Sequence, residues 1–93
     1  MEQLVVTRHP ALVAFLRERG LVRDDVKVVA HATPADLAGK HVFGVLPPSL
    51  AIHAAKATEI PLAIPPELRG VELTLDQMRQ FAGEPWTYRV IPA

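Results

Sequence analysis

The first pattern along the chain is a short apolar run that passes through polar residues into an amphipathic segment. Leu4 to Thr7 shows no polar alternation, which predicts a strand in the middle of a parallel sheet. Pro10 to Arg19 carries apolar residues at helical spacing, and proline is favoured at a first helical position, so we predict a helix there that ends near Gly20. The order of strand, polar turn and helix indicates the first unit of a parallel α/β sheet.

Similar alternation continues through the middle of the chain. We predict further strands at Val26 to His31, His41 to Leu46 and Ile60 to Ile64, each of them an apolar run bounded by turn residues. Thr33 to Leu37 is long enough for a single helical turn only, and a helix is predicted from about Ser49 to Ala57. This second helix start again follows a strand and a proline, as the first one does.

The C-terminal third contains the longest irregular stretch of the sequence, Pro65 to Leu73. Thr74 then begins a helix that we predict to run to Ala82, because Thr74 and Gln77 have the spacing of a capping box. Trp86 to Ile91 alternates with a period of two residues, which predicts a half-buried final strand.

These elements predict one domain over residues 1–93, a three-layer α/β fold of Rossmann or flavodoxin type with a mainly parallel sheet of about five strands. If the first strand pairs with both the second and the third, the strand order reverses between the first and the third. The loops Thr7 to Pro10 and Leu46 to Ser49 then flank the crevice where open α/β sheets bind ligands. The sequence therefore predicts a site between two helix starts.

Composition narrows the function classes. Ten basic and ten acidic side chains balance, so no overall basic field draws the chain to long nucleic acid or to a membrane. The absence of cysteine excludes disulfides and thiolate chemistry and is typical of a cytoplasmic protein. No signal peptide or membrane-spanning segment is visible in the sequence, and we expect a cytoplasmic location.

The loop after the first strand has the chemistry of a phosphate site. His9 is expected at the cap of the first helix, where free N–H groups of Ala11 and Leu12 attract anions. A helix N-terminus disfavours the imidazolium, so His9 is the best acid–base candidate. Arg8 can hold a phosphate with two hydrogen bonds. The alternatives are a capping histidine and an ordinary solvated arginine.

Other polar side chains are weaker candidates. Thr7 and Ser49 offer hydroxyls at the two strand ends, although such groups commonly satisfy local backbone atoms. Arg69 in the long loop could reach over the pocket, or it could lie in solvent. His31 ends the second strand and is a second candidate near His9.

The sequence lacks the motifs of several common kinds of catalytic or ligand-binding site. His41 and His53 show no metal-ligand spacing and are interpreted as structural, so no metal site is predicted. The sequence has neither a Gly-rich phosphate loop nor a Gly-x-Ser-x-Gly elbow, which leaves nucleoside triphosphatase, dinucleotide-cofactor and esterase functions unsupported.

Four blocks of the sequence together resemble a family of small CRISPR-associated accessory proteins from type III loci, over nearly the whole chain. They are Val6 to Ala11 with its Val-Thr-Arg-His start, His31-Ala32 with Pro34 to Leu37, Gly44 to Pro47 with Leu50-Ala51, and Leu68 to Thr74 with Met78-Arg79. The resemblance implies a ring nuclease that cleaves cyclic oligoadenylate and so ends type III antiviral signalling. It also implies a relation to the Rossmann-like (CARF-like) domains that sense these messengers as dimers.

On this resemblance we expect cyclic tetraadenylate as the ligand, a homodimer or higher homo-oligomer, and no cofactor. The ribose 2′-hydroxyl would attack the adjacent phosphorus without a metal and give linear products with a 2′,3′-cyclic phosphate. His9 would act as acid–base and Arg8 would balance the phosphate charge. The remaining ligand-binding residues would be Thr7, Pro47, Arg69 and the backbone N–H groups of Ala11, Ser49 and Leu50.

Two other functions stay open at this point. A non-catalytic sensor or sponge for cyclic oligoadenylate would have the same fold and pocket. An RNA-binding or subunit-bridging accessory protein is a third possibility, although the balanced charge and an expected lack of exposed aromatic pairs disfavour single-stranded RNA binding.

Overall fold

A five-stranded sheet forms the middle layer of the molecule, which a computed structural model describes over residues 1–93. Its strands are β1 (Gln3–Val6), β2 (Lys27–Val29), β3 (His41–Phe43), β4 (Lys56–Glu59) and β5 (Trp86–Tyr88). Their order in the sheet is β2-β1-β3-β4-β5. The pairs among β1 to β4 are parallel, and β5 is antiparallel to β4.

Helices cover both faces of this sheet. The helices are α1 (Pro10–Glu18), α2 (Pro34–Leu37), α3 (Pro48–Ala51) and α4 (Leu75–Phe81), with a 3-10 turn at Pro66–Leu68. On one face, α1 and α4 pack over Val5 and Phe43 through Phe15, Leu16 and Met78. On the other face, α2 and α3 pack over Leu4 and Val42 through Leu37 and Ala51. None of the helices is long and apolar enough to cross a lipid bilayer.

An ion-pair cluster joins the two helices on the first face. The Arg79 guanidinium of α4 donates from Nη2 and Nε to the two carboxylate oxygens of Glu18, at 2.6 and 2.8 Å. It also donates to Asp76 Oδ1 one turn earlier. The hydrogen bond from Arg79 holds the pKa of Glu18 below its ordinary value. The end of α1 is therefore tied to the middle of α4.

The first half of the predicted topology is confirmed. β1 lies between β2 and β3, so the strand order does reverse at β1. The capping box is also confirmed: the Gln77 N–H donates to Thr74 Oγ1 at 3.2 Å, and the Thr74 N–H donates to Gln77 Oε1 at 2.9 Å. The second, third and last strands are shorter than predicted, and β5 ends at Tyr88. The Trp86 and Tyr88 rings of β5 stack with their centroids 4.6 Å apart, and Trp86 is exposed, so the expected lack of exposed aromatic pairs is wrong.

Two predicted elements are wrong. The helix expected from Ser49 to Ala57 is a single turn, α3, and the last part of that segment belongs to β4. The strand expected from Ile60 to Ile64 is not present, and only Leu62 makes an isolated bridge there. Helix propensity misled the prediction because tertiary pairing overrides it. The Ala55 N–H donates to the Lys40 carbonyl at 3.0 Å, and this bond draws the chain into the sheet beside β3.

Candidate active site

A pocket of about 610 Å³ opens on the face of the sheet that carries α1 and α4. It lies where the chain leaves β1, β3 and β4, and the segment from residue 60 to residue 73 forms its far wall. Fourteen of the 21 residues that line it are hydrophobic. The interior therefore suits an apolar or flat group, and polar recognition must come from the few remaining side chains.

Thr7, Arg8, His9 and Ala11 all line this pocket, as a polar border on an otherwise apolar wall. His9 is the cap residue of α1 and has an extended backbone, and its N–H donates to Thr7 Oγ1 at 3.1 Å. Thr7 thus fixes the local turn, and its own hydroxyl proton is left for another acceptor. The His9 ring itself makes no hydrogen bond.

One backbone donor at the start of α1 is free. The Leu12 N–H was expected to be available, but it donates to the His9 carbonyl at 3.1 Å. The Ala11 N–H has no backbone acceptor. Because helix starts carry partial positive charge, this amide adds to the attraction that Arg8 exerts on an anion.

The structure brings Arg8 and His31 together, although they are 23 residues apart in sequence. Arg8 Nη2 lies 3.1 Å from His31 Nε2. A guanidinium can only donate, so Nε2 is the acceptor and the ring proton of His31 resides on Nδ1. His31 lies outside the pocket lining, whereas its neighbour Ala30 and Arg8 belong to it.

Gly44 follows β3 and forms part of the pocket wall. Its φ of +145° lies in the range that favours glycine, and a Cβ at this position would overlap the carbonyl oxygen of Val6. The backbone at the end of β1 and the backbone just after β3 therefore approach each other closely beside the pocket. No other residue type fits there unless one of these two backbone segments shifts.

A chain of side-chain hydrogen bonds runs beneath the pocket, from β3 across β4 to β5. Thr58 lines the pocket and is only 3% exposed. Its Oγ1 lies 2.5 Å from His41 Nε2 and 2.7 Å from Thr87 Oγ1. Burial, and secondarily the charge of Lys56, lower the pKa of His41. A neutral His41 therefore fits a role in holding the sheet, which agrees with its interpretation as structural.

The second predicted loop does not reach this pocket. Pro47, Ser49 and Leu50 are all outside its lining, because α3 packs on the opposite face of the sheet. The Leu50 N–H donates to the Pro47 carbonyl at 2.9 Å and is not free. The expectation that two helix starts face one pocket is therefore wrong, since the chain leaves β1 and β3 toward different faces.

The long loop does line the pocket, but with residues other than Arg69, which is the one that the sequence predicted. Arg69 is exposed and does not line the pocket, whereas Leu68 and the segment from residue 70 to residue 73 do. Glu72 brings the single carboxylate of the lining. Sequence reasoning missed Glu72, Thr58 and Gly44 because nothing in their local pattern shows that the loop folds back over β3 and β4.

No group of three or more His, Asp or Glu side chains that could hold a metal ion occurs in the structure. The polar border of the pocket thus offers one imidazole, one guanidinium, one hydroxyl and one backbone amide. Such a set can bind a phosphate group, accept a proton beside it and balance negative charge.

Residues 4–91 match one family model, described as "Putative CRISPR-associated protein (Cas_VVA1548)". The match runs from β1 past β5 and so includes every wall of the pocket. No curated protein and no solved structure matches the chain.

Proposed function

This chain belongs to the Cas_VVA1548 family of CRISPR-associated proteins, and we propose that it is a ring nuclease that binds and cleaves cyclic oligoadenylate, with cyclic tetraadenylate as the substrate. The cleavage would switch off type III CRISPR antiviral signalling. The observation that carries the proposal is the polar border of Thr7, Arg8, His9 and the Ala11 amide on an apolar pocket. A nucleotide has the matching pair of features, a flat base and a charged phosphate. In this proposal the domain is a small Rossmann-like relative of CARF domains.

The volume of the pocket limits how much of a cyclic oligoadenylate one copy of the chain can enclose. Pockets of roughly 300 to 1,000 Å³ enclose a drug-sized ligand, and the volume of about 610 Å³ found here lies in that range. A ring of four nucleotides is considerably larger, so one copy of the chain would enclose only part of it. A symmetric dimer would offer two such pockets to a ligand with twofold symmetry. We therefore include a homodimer in the proposal.

The reaction uses a nucleophile that the substrate carries. The ribose 2′-oxygen bonds to the neighbouring phosphorus, its proton passes to His9, and the bond from phosphorus to the 5′-oxygen breaks. The 5′-oxygen leaves with a proton from solvent, and the phosphorus remains in a 2′,3′-cyclic phosphate. Arg8 and the Ala11 amide stabilise the charge that grows on the phosphoryl oxygens. No step in this sequence requires a metal.

One observation favours a sensor or sponge that binds the ring without cutting it. The His9 ring is exposed and has no hydrogen-bond partner that orients it, whereas a catalytic base is usually oriented by a third group. Such a partner can be supplied by the ligand or by a second copy of the chain. The two functions therefore differ in turnover and share the same pocket.

Product analysis separates these functions. The purified chain is incubated with cyclic tri-, tetra- and hexaadenylate in EDTA, and products are followed by liquid chromatography with mass spectrometry. We expect cyclic tetraadenylate to give linear diadenylate that ends in a 2′,3′-cyclic phosphate. A ring that stays intact but elutes with the protein would establish the sensor or sponge. Intact rings that do not bind would refute both functions.

A further inference from the structure

Arg8 differs from the other paired cations of the chain in the type of partner that it has. Arg23, Lys40 and Arg79 each contact a carboxylate within 4 Å. Arg8 has no carboxylate partner, and its guanidinium is bonded to the imidazole of His31. A carboxylate would orient the guanidinium and also cancel its charge. A neutral imidazole orients it and leaves the charge available to a ligand.

We propose that His31 is a positioning residue that aims Arg8 at the phosphate held at the pocket border. His31 follows β2 and Arg8 follows β1, and the two strands are hydrogen-bonded neighbours in the sheet. The bond of 3.1 Å between Arg8 Nη2 and His31 Nε2 thus spans two adjacent strand ends. This inference rests on the proposed function, since it specifies how the phosphate-binding group of that site is held.

The physical reason is conformational entropy. An exposed arginine has many rotamers, and ordering it on a ligand costs binding free energy. A partner that already holds the guanidinium reduces that cost, because less freedom is lost when the phosphate arrives. Charge on the phosphoryl oxygens is larger in the transition state than in the bound ring, so a loosened Arg8 harms turnover more than binding.

Two substitutions at His31 separate the hydrogen-bond acceptor from the ring. His31→Phe keeps a flat ring and removes the acceptor, whereas His31→Gln keeps an acceptor oxygen. We expect His31→Phe to lower kcat on cyclic tetraadenylate about tenfold, with KM changed less than about threefold, and His31→Gln to stay within about threefold of the unsubstituted chain in kcat. His31 is exposed, so both variants should unfold at the same temperature as the unsubstituted chain.

A double-mutant cycle shows whether the effect passes through Arg8. In an Arg8→Ala background, His31→Phe should have no further effect on kcat, because no guanidinium remains to be aimed. Equal kcat in His31→Phe and the unsubstituted chain would overturn the proposal. So would a loss in His31→Gln as large as in His31→Phe, or an additive loss in the double variant.

Nitrogen-15 NMR of the imidazole tests the contact without any activity. We expect His31 to show the tautomer protonated on Nδ1 in the unsubstituted chain and a mixed tautomer in Arg8→Ala. If the ring is bound but not cut, the His31 variants are compared by Kd, and His31→Phe should weaken binding about twofold to threefold while His31→Gln leaves Kd unchanged. If no ring binds at all, the proposed function and the positioning role both fail, even where NMR finds the contact. If rings are cut and NMR shows no preferred tautomer, the proposed function stands and the positioning role fails.

Discussion

The chain uses the same pattern of strand end, proline and helix start twice, after β1 and after β3, and a pocket forms at only one of them. After β1 the helix has nine residues and its first turn borders the pocket. After β3 the helix has four residues and packs flat on the opposite face. The two helix starts look alike in sequence, so the difference must come from the residues that pack around each of them on its face of the sheet.

The covering layers differ in the size of their side chains. Three of the seven buried core residues on the face that carries α3 are alanines, Ala51, Ala54 and Ala57, whereas none of the nine on the other face is an alanine. On the other face α1 and α4 are held together by Arg79, and the loop from residue 60 to residue 73 passes beside β4 without entering the sheet. The space between that loop and α1 is the pocket. The loop wall thus leaves space for a ligand beside α1, whereas on the other face α3 packs directly against the sheet.

The largest expected effect comes from removing the imidazole at the first helix start. His9→Ala should lower kcat on cyclic tetraadenylate by about 10² to 10⁴-fold, the usual contribution of a general base, with Kd changed less than about threefold. The matched control is His53→Ala, an exposed histidine just after α3, which should leave kcat unchanged. Rates are measured in single turnover and Kd by calorimetry. Full activity in His9→Ala would show that the start of α1, like the start of α3, carries no catalytic base.

The next effect concerns the close approach of the end of β1 to the backbone just after β3. Gly44→Ala should lower the free energy of unfolding by about 2 to 4 kcal/mol, because the new Cβ overlaps the Val6 carbonyl oxygen and the φ is unfavourable. Gly20→Ala is the control, since it has a positive φ of 69° but open space around its Cβ, and about 1 kcal/mol is expected. Urea denaturation followed by circular dichroism compares them. Equal losses would show that backbone conformation alone matters at Gly44.

A smaller effect is expected at the apolar loop wall. Val71 lines the pocket and is 54% exposed, so Val71→Glu should weaken cyclic tetraadenylate binding about tenfold by adding a negative charge beside the phosphates. Ile52→Glu places the same charge on the face that carries α3, where 36% of Ile52 is exposed, and should leave Kd unchanged. Calorimetry measures both. Equal weakening in the two variants would indicate an overall charge effect and no specific role for the loop.

The smallest effect is a pH dependence of stability beneath the pocket. The pKa of His41 is lowered in the folded chain by burial and by Lys56, so the unfolded chain binds a proton more readily than the folded one. The free energy of unfolding should therefore fall as pH drops below the ordinary histidine pKa of about 6.5. His41→Gln keeps a side chain able to bond Thr58 and does not titrate. Its unfolding free energy should change less between about pH 7 and pH 5. Parallel curves for the two chains would contradict this assignment.

How much could be predicted depended on whether the determining contacts are local. The Thr74 and Gln77 capping box and the start of α1 at Pro10 depend on atoms within one helical turn, and both were predicted. The segment from residue 49 to residue 64 was misassigned because Ala55 and Lys56 bond to the Lys40 carbonyl, a partner 15 or 16 residues away. At the site, Thr7, Arg8, His9 and Ala11 were predicted as neighbours and do line one pocket.

The sequence by itself determined the strand-to-helix turn at Thr7 to Pro10, the capping box at the start of α4, and the family to which the chain belongs. The turn and the capping box follow from short-range sterics and from hydrogen bonds within one helical turn, so neighbouring residues are enough to specify them. Only the tertiary structure decided that α3 lies on the far face, that His31 contacts Arg8, and that the long loop supplies the pocket wall. Those outcomes depend on which layer packs against which face, and that is settled by contacts between residues far apart in sequence.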